Sequence, residues 1–190
     1  GQGDVTLVHH EPYLTAAGLA SFSDFAIGVI GGTVNLTVST ETDVVDANGG
    51  NCAGLDFVLL PGPDDEISLR EAICAANATS KPVSIGLPAG TYMLSIAGTG
   101  EDASATGDLD VVGDLTLSGV GAGSTVIDAA DIDRVLELIS GSLTLDGVTV
   151  TGGQAPGGFV GESGGGLRSG GDLTVRNSQV VHNTAGNGST

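Results

Sequence analysis

The sequence has no tryptophan and few other rings, only two Tyr and four Phe in 190 residues. A core without large rings has to be filled by Val, Leu, Ile and Ala in thin, regular layers, which suits short stacked strands. Positive charge is scarce too: five Lys and Arg stand against 23 Asp and Glu, for a formal net charge of -18. Such a chain repels phosphate backbones and anionic bilayer surfaces, so a nucleic-acid partner is excluded. No apolar run reaches the roughly 18 residues of a membrane span, and membrane insertion of this segment is not expected. No basic stretch followed by an apolar one opens the chain as a signal peptide would, and there is no initiator Met. The chain reads as a processed or excised piece of something longer. Glycine is plentiful by contrast, with 33 residues against a usual share of about 7%, but without the every-third spacing of collagen, so the glycines mark turns. Low Lys, abundant Thr, Ser, Gly and Asp, and only two cysteines suit a location outside the cytoplasm.

Three segments follow from the patterning. Residues 1–31 carry "DVTLVHH" and "SFSDFAIGVIGG", strand-like phrases too few to make a domain alone. They read as an N-terminal strand arm or as the tail of a preceding β-sandwich. Residues 32–80 read as a cap module: a strand in "GGTVNLTVST", a loop rich in Asp, Asn and Gly, and then "SLREAICAANA". There Ser68 is placed to cap a helix over 68–78 with Glu71 as its reciprocal acceptor, and Asp64, Asp65 and Glu66 lie where the helix dipole favours negative charge. Leu69, Ala72, Ile73 and Ala76 form one apolar stripe of an amphipathic helix.

From residue 81 to 190 the helical period disappears and a repeat replaces it. "GDLTLSGV", "GSLTLDGVTV" and "GDLTVRNSQV" share Gly, a polar residue, Leu, Thr and an apolar residue, anchored at Leu115, Leu143 and Leu173, which are 28 and 30 residues apart. Near-identical phrases at such a period, with Gly at the same corners, favour a solenoid over a sandwich. The predicted fold is therefore all-β: a right-handed parallel β-helix with a short N-terminal capping α-helix and an N-terminal strand arm or sandwich end, its coils open at the C-terminus.

"SLREAICAANA", "IGLPAGTYMLSI", "GDLDVVGDLTLSGVGAGSTVIDA", "DRVLELISGSLTLDGVTVTGG" and "GGGLRSGGDLTVRNSQVVHNTA" together resemble the CSLREA-domain proteins. These are large bacterial and archaeal surface proteins in which a cap module precedes a right-handed parallel β-helix of the pectate-lyase-like type. The resemblance spans about residues 33–190 and implies that fold and an extracellular or cell-surface location; it implies little about chemistry. One departure stands out. The family motif begins with Cys directly before Ser-Leu-Arg-Glu-Ala, whereas Ile67 occupies that place here and the cysteines are Cys52 and Cys74. Two readings follow: a Cys52–Cys74 disulfide that closes the acidic loop onto the helix, which is favoured because both cysteines flank the cap, or two buried thiols.

The residues offer little catalytic chemistry. His9 and His10 are neighbours that a strand points to opposite faces, and His182 is remote, so zinc is not expected. Asp43, Asp46 and Asn48 on a Gly-containing loop are the candidate ligands for Ca²⁺, the one cofactor considered. Asp128, Asp131, Asp133 and Glu137 surround Arg134, which reads as structural. A polysaccharide lyase would need a positive groove, and Arg70, Lys81, Arg134, Arg168 and Arg176 are scattered. A glycoside hydrolase would have to press Asp128 and Asp131 into service without an aromatic platform. No catalytic residue is assigned. The favoured reading is a structural surface module whose partners are further coils of the same chain or other copies, joined head-to-tail by β-strand addition into a filament. The alternative is a carbohydrate-active enzyme or glycan-binding adhesin, for which only Tyr92 and Phe159 offer exposed rings. Asn35, Asn77 and Asn187 lie in Asn-x-Ser/Thr triplets, which chance supplies in a chain this rich in Ser and Thr.

Overall fold

The computed structural model describes residues 6–10, 13–17, 32–155 and 164–185. The chain divides into two compact units, Gly1–Gly31 and Gly32–Thr190. In the first, β1 (Thr6–His10) and β2 (Tyr13–Ala17) pair antiparallel, from Thr6 opposite Ala17 to His10 opposite Tyr13. The phrase "SFSDFAIGVIGG" read as a further strand lies outside the described residues, as do Phe159 and Asn187.

The second unit begins with β3 (Val34–Thr37) and a long loop that ends at helix α1 (Leu69–Asn77). Strands β4 (Val83–Leu87), β5 (Gly90–Met93), β6 (Leu109–Gly119), β7 (Thr125–Asp128), β8 (Leu136–Asp146), β9 (Thr149–Thr151), β10 (Leu167–Ser169), β11 (Asp172–Arg176) and β12 (Gln179–Val180) follow. All their pairings are parallel. One sheet runs β10, β8, β6, β4, β3, with β11 also on β8; the other runs β12, β9, β7, β5. Register follows the repeat: Leu115 pairs with Leu143 and Leu143 with Leu173. Alternation then sends Leu115, Leu117, Leu143 and Leu145 into a core shared with Tyr92, Ile127 and Val150 of the second sheet.

The expected right-handed parallel β-helix is corrected by this topology. The strands form a six-stranded and a four-stranded parallel sheet, with no solenoid closure among the described residues. The 28- and 30-residue spacing dictates that successive passes of the chain pair in register. It carries no information on whether the passes close around an axis, and that is where the expectation overreached. The parallel sheet also starts earlier than residue 81, because β3 pairs with β4, Val34 opposite Val83 and Leu36 opposite Ile85.

Glycine is required at the corners inside β6 and β8. Gly113 and Gly141 have φ of 99° and 90°, and a Cβ on Gly141 would lie 2.2 Å from the carbonyl oxygen of Gly113. One pass further on, a Cβ on Gly171 would lie 2.3 Å from the Gly141 oxygen. The recurring Gly thus leaves no room for a side chain at Gly141 and Gly171, while Gly113 has open space and is favoured by its positive φ.

Helix α1 carries the capping box its sequence announces: Ser68 Oγ accepts from the Glu71 amide at 3.1 Å, and Glu71 accepts from the Ser68 amide at 3.0 Å. The expected single apolar stripe proves too narrow. Every residue from Leu69 to Ala76 is buried, because the loop before the helix wraps its other side. Ala47, Cys52 and Leu55 of that loop pack on Cys74 and Ala75 in a second small core. Cys52 and Cys74 are joined by a disulfide.

Candidate functional site

The three candidate Ca²⁺ ligands are given separate tasks. Asp43 pairs with the fully buried Arg70, whose Nε and Nη2 donate to its two carboxylate oxygens at 2.7 and 3.1 Å. Its Oδ2 also accepts from the amides of Ser95 and Ile96. Burial pushes the Asp43 carboxyl up, but the Arg70 guanidinium and those two amides outweigh it and hold the group below its ordinary value. Asp46 uses Oδ2 to accept from the Asp64 amide at 3.0 Å, while its Oδ1 is out of solvent without a hydrogen-bond partner among the described residues. Asn48, in a left-handed conformation with φ of 53°, donates to the carbonyls of Asn51 and Ala53. The pairing with Arg70 thus engages both Asp43 oxygens.

Carboxylates converge elsewhere. One oxygen from each of Asp108, Asp110 and Glu137 lies within 4.8 Å of the other two, and all three residues are buried. The strands account for this. Asp110 on β6 and Glu137 on β8 are direct cross-strand partners, and Arg168 on β10 is the next rung beside Glu137. Arg134 bridges the group, its Nε donating to Asp108 Oδ2 at 3.1 Å and its Nη2 reaching Glu137 Oε2 at 2.8 Å. Arg168 binds Glu137 Oε1 from the opposite side. Asp133 accepts from the Arg134 amide at 2.7 Å.

Asp110 is the most confined member. It is 0% exposed, and its Oδ2 accepts from the Ser104 amide at 2.9 Å while its own amide donates to Ser104 Oγ at 3.1 Å. Its Oδ1 has no hydrogen-bond partner among the described residues, and the same holds for Arg134 Nη1. Burial, and then the neighbouring Asp108 carboxylate, push Asp110 up to about 8. Asp108 is raised to about 6, by burial and then by Asp133, with Arg134 opposing. A cleft of about 280 Å³, lined by Asp102, Glu137, Arg168 and Gly170 among others, opens beside the group.

Reading along the chain grouped Glu137 and Arg134 with Asp128, Asp131 and Asp133. The structure keeps Arg134, Asp133 and Glu137 together but turns Asp128 to the amide of Ala130 at 2.9 Å and leaves Asp131 exposed. Asp108 and Asp110 take their place. The signal was present, since Asp110 and Glu137 stand one repeat apart and parallel register brings such positions together.

A second feature lies at the end of the stack. Leu173 and Val175 on β11 are 37% and 42% exposed, whereas their register partners Leu143 and Leu145 are 1% and 0% exposed. Val180 and Val181 are uncovered in the same way. Among the described residues these core-type positions lie bare along an open parallel edge. Two features bearing on glycans do not serve them. Tyr92 is buried, its hydroxyl donating to the Pro88 carbonyl at 3.1 Å. Asn77 is held against β6, donating to Asp110 O and accepting from the Val112 amide, both at 2.8 Å.

Among the described residues no helix is long and apolar enough to cross a membrane. No family model, curated protein or solved structure matches the chain.

Proposed function

We propose that the chain is a structural module of the extracellular or cell-surface compartment that assembles with copies of itself by strand addition. The observation that carries this reading is the uncovered edge at β11 and β12, where Leu173 and Val175 continue the buried columns of Leu143 and Leu145 into solvent. An open edge with an apolar face is a template for a further strand. Further coils of the same chain would fit this edge, and so would a second copy, since β3 ends the same sheet on the opposite side and offers a parallel edge of matching Val and Leu alternation. Contact between two different edges is heterologous and need not close, so it builds a filament. The acidic, Thr- and Gly-rich composition and the resemblance to CSLREA-domain surface proteins support the location.

Sedimentation velocity over a range of protein concentration tests the assembly. The wild type is expected to form reversible, concentration-dependent oligomers, and a Leu173→Lys, Val175→Lys double variant to remain monomeric. A wild type that stays strictly monomeric at high concentration overturns the proposal.

A further inference from the structure

Asp108, Asp110 and Glu137 leave a requirement that no side chain in the structure meets. A carboxylate oxygen withdrawn from water needs a donor or a cation, and Asp110 Oδ1 has neither among the described residues. Arg134 is committed to Asp108 Oδ2 and Glu137 Oε2. The second guanidinium, Arg168, is taken by Glu137 Oε1. Three carboxylates, those of Asp108, Asp110 and Glu137, thus share two guanidiniums, and one formal negative charge is left over.

We infer that Asp108, Asp110 and Glu137 form a binding site for one hard divalent cation of the Ca²⁺ class, entered from the cleft beside Glu137 and Arg168. Three oxygens within 4.8 Å of one another, from three residues of two adjacent parallel strands and the turn into β6, match the short separations that ligands on one ion require. The donor set is oxygen only. With no His or Cys in the group, zinc and copper are disfavoured, and carboxylate donors select a hard ion. Ca²⁺ is favoured over Mg²⁺ because it accepts irregular oxygen geometry, whereas Mg²⁺ demands a near-octahedral shell and holds its water. A water carried on the ion would accept from Arg134 Nη1, the buried donor that likewise has no partner among the described residues. The site is separate from the Asp43, Asp46 and Asn48 loop, where Asp43 pairs with Arg70.

Calorimetric titration of CaCl₂ into chelator-treated protein, with thermal unfolding measured in parallel, decides the matter. The wild type is expected to bind one Ca²⁺ per chain with a dissociation constant of about 1 mM or tighter, in the range of extracellular modules, and to melt at a higher temperature with the ion. Asp110→Asn, which keeps the side-chain shape, is expected to weaken binding by about tenfold or more, while Asp46→Asn binds as the wild type does. If Asp110→Asn fails to fold, amide hydrogen exchange of the wild type with and without CaCl₂ replaces it. Protection over residues 101–112 and 133–139 is the expected pattern. Absence of binding at millimolar CaCl₂, binding that survives Asp110→Asn and is lost in Asp46→Asn, or protection confined to residues 43–66 each overturns the inference.

Discussion

Arg70 sits in the first turn of helix α1 with no exposed surface, and its guanidinium reaches outside the helix. Besides Asp43 it donates to the carbonyls of Ser104, Gly107 and Asp108 at 3.1, 2.8 and 3.2 Å. One guanidinium therefore fastens the helix, the loop before it and the turn into β6. Replacing one partner leaves the other charge buried and unpaired, so Asp43→Asn is expected to lower stability at pH 7 by about 3 kcal/mol. The pH dependence has a definite sign. Because the folded carboxyl is held below its unfolded value, its contribution is fully present above about pH 4 and is lost as pH falls through the folded value. Chemical denaturation from pH 7 to pH 2 should show the gap between wild type and Asp43→Asn narrowing at the acid end; a gap constant with pH would contradict the assignment. At this scale the sequence disclosed what is local. Ser68 and Glu71 are three residues apart and their capping box is readable on sight, whereas nothing near Asp43 announces Arg70 as its partner.

The strands show the same division between local pattern and distant pairing. Alternation at Val34, Leu36, Leu115, Leu117, Leu143 and Leu145 identifies them as strands with one buried face, and the repeat sets their register. What the pattern does not carry is the backbone path between strands, which is why two parallel sheets were read as one closed helix. The helix is the mirror case: its stripe marks one buried side, but the burial of Glu71, Cys74 and Ala75 comes from a loop whose approach leaves no periodic trace. The Gly column tests the strand pairing. Gly141→Ala puts a methyl 2.2 Å from the Gly113 oxygen in a backbone with φ of 90°, and a loss of roughly 2 kcal/mol or more is expected. Gly123 has open space around its Cβ position and no positive φ, so Gly123→Ala should change stability by less than about 0.5 kcal/mol. Equal losses in the two variants, measured by denaturant unfolding, would mean the corners are not packed as described.

For the molecule as a whole, charge opposes assembly. A formal net charge of -18 on 190 residues makes copies repel one another, and salt shortens the range of that repulsion to about 8 Å at physiological ionic strength. Strand addition through Leu173 and Val175 is apolar and gains from the screening. The association seen by sedimentation should strengthen as NaCl rises from about 0.05 to 0.5 M; association that weakens over that range would point to ion pairs and away from the β11 edge. The corner glycines bear on something wider than stability. Each corner fits only against the corner one pass earlier, and a shift of a single residue would turn every side chain of a strand to the wrong face. Length in this architecture is therefore stepped: an insertion or deletion of one whole pass leaves the columns aligned, while a one-residue change inside a strand has to be absorbed as a bulge, as between Val111 and Val112. Descendants of this chain can grow taller in steps of roughly thirty residues, but not by degrees.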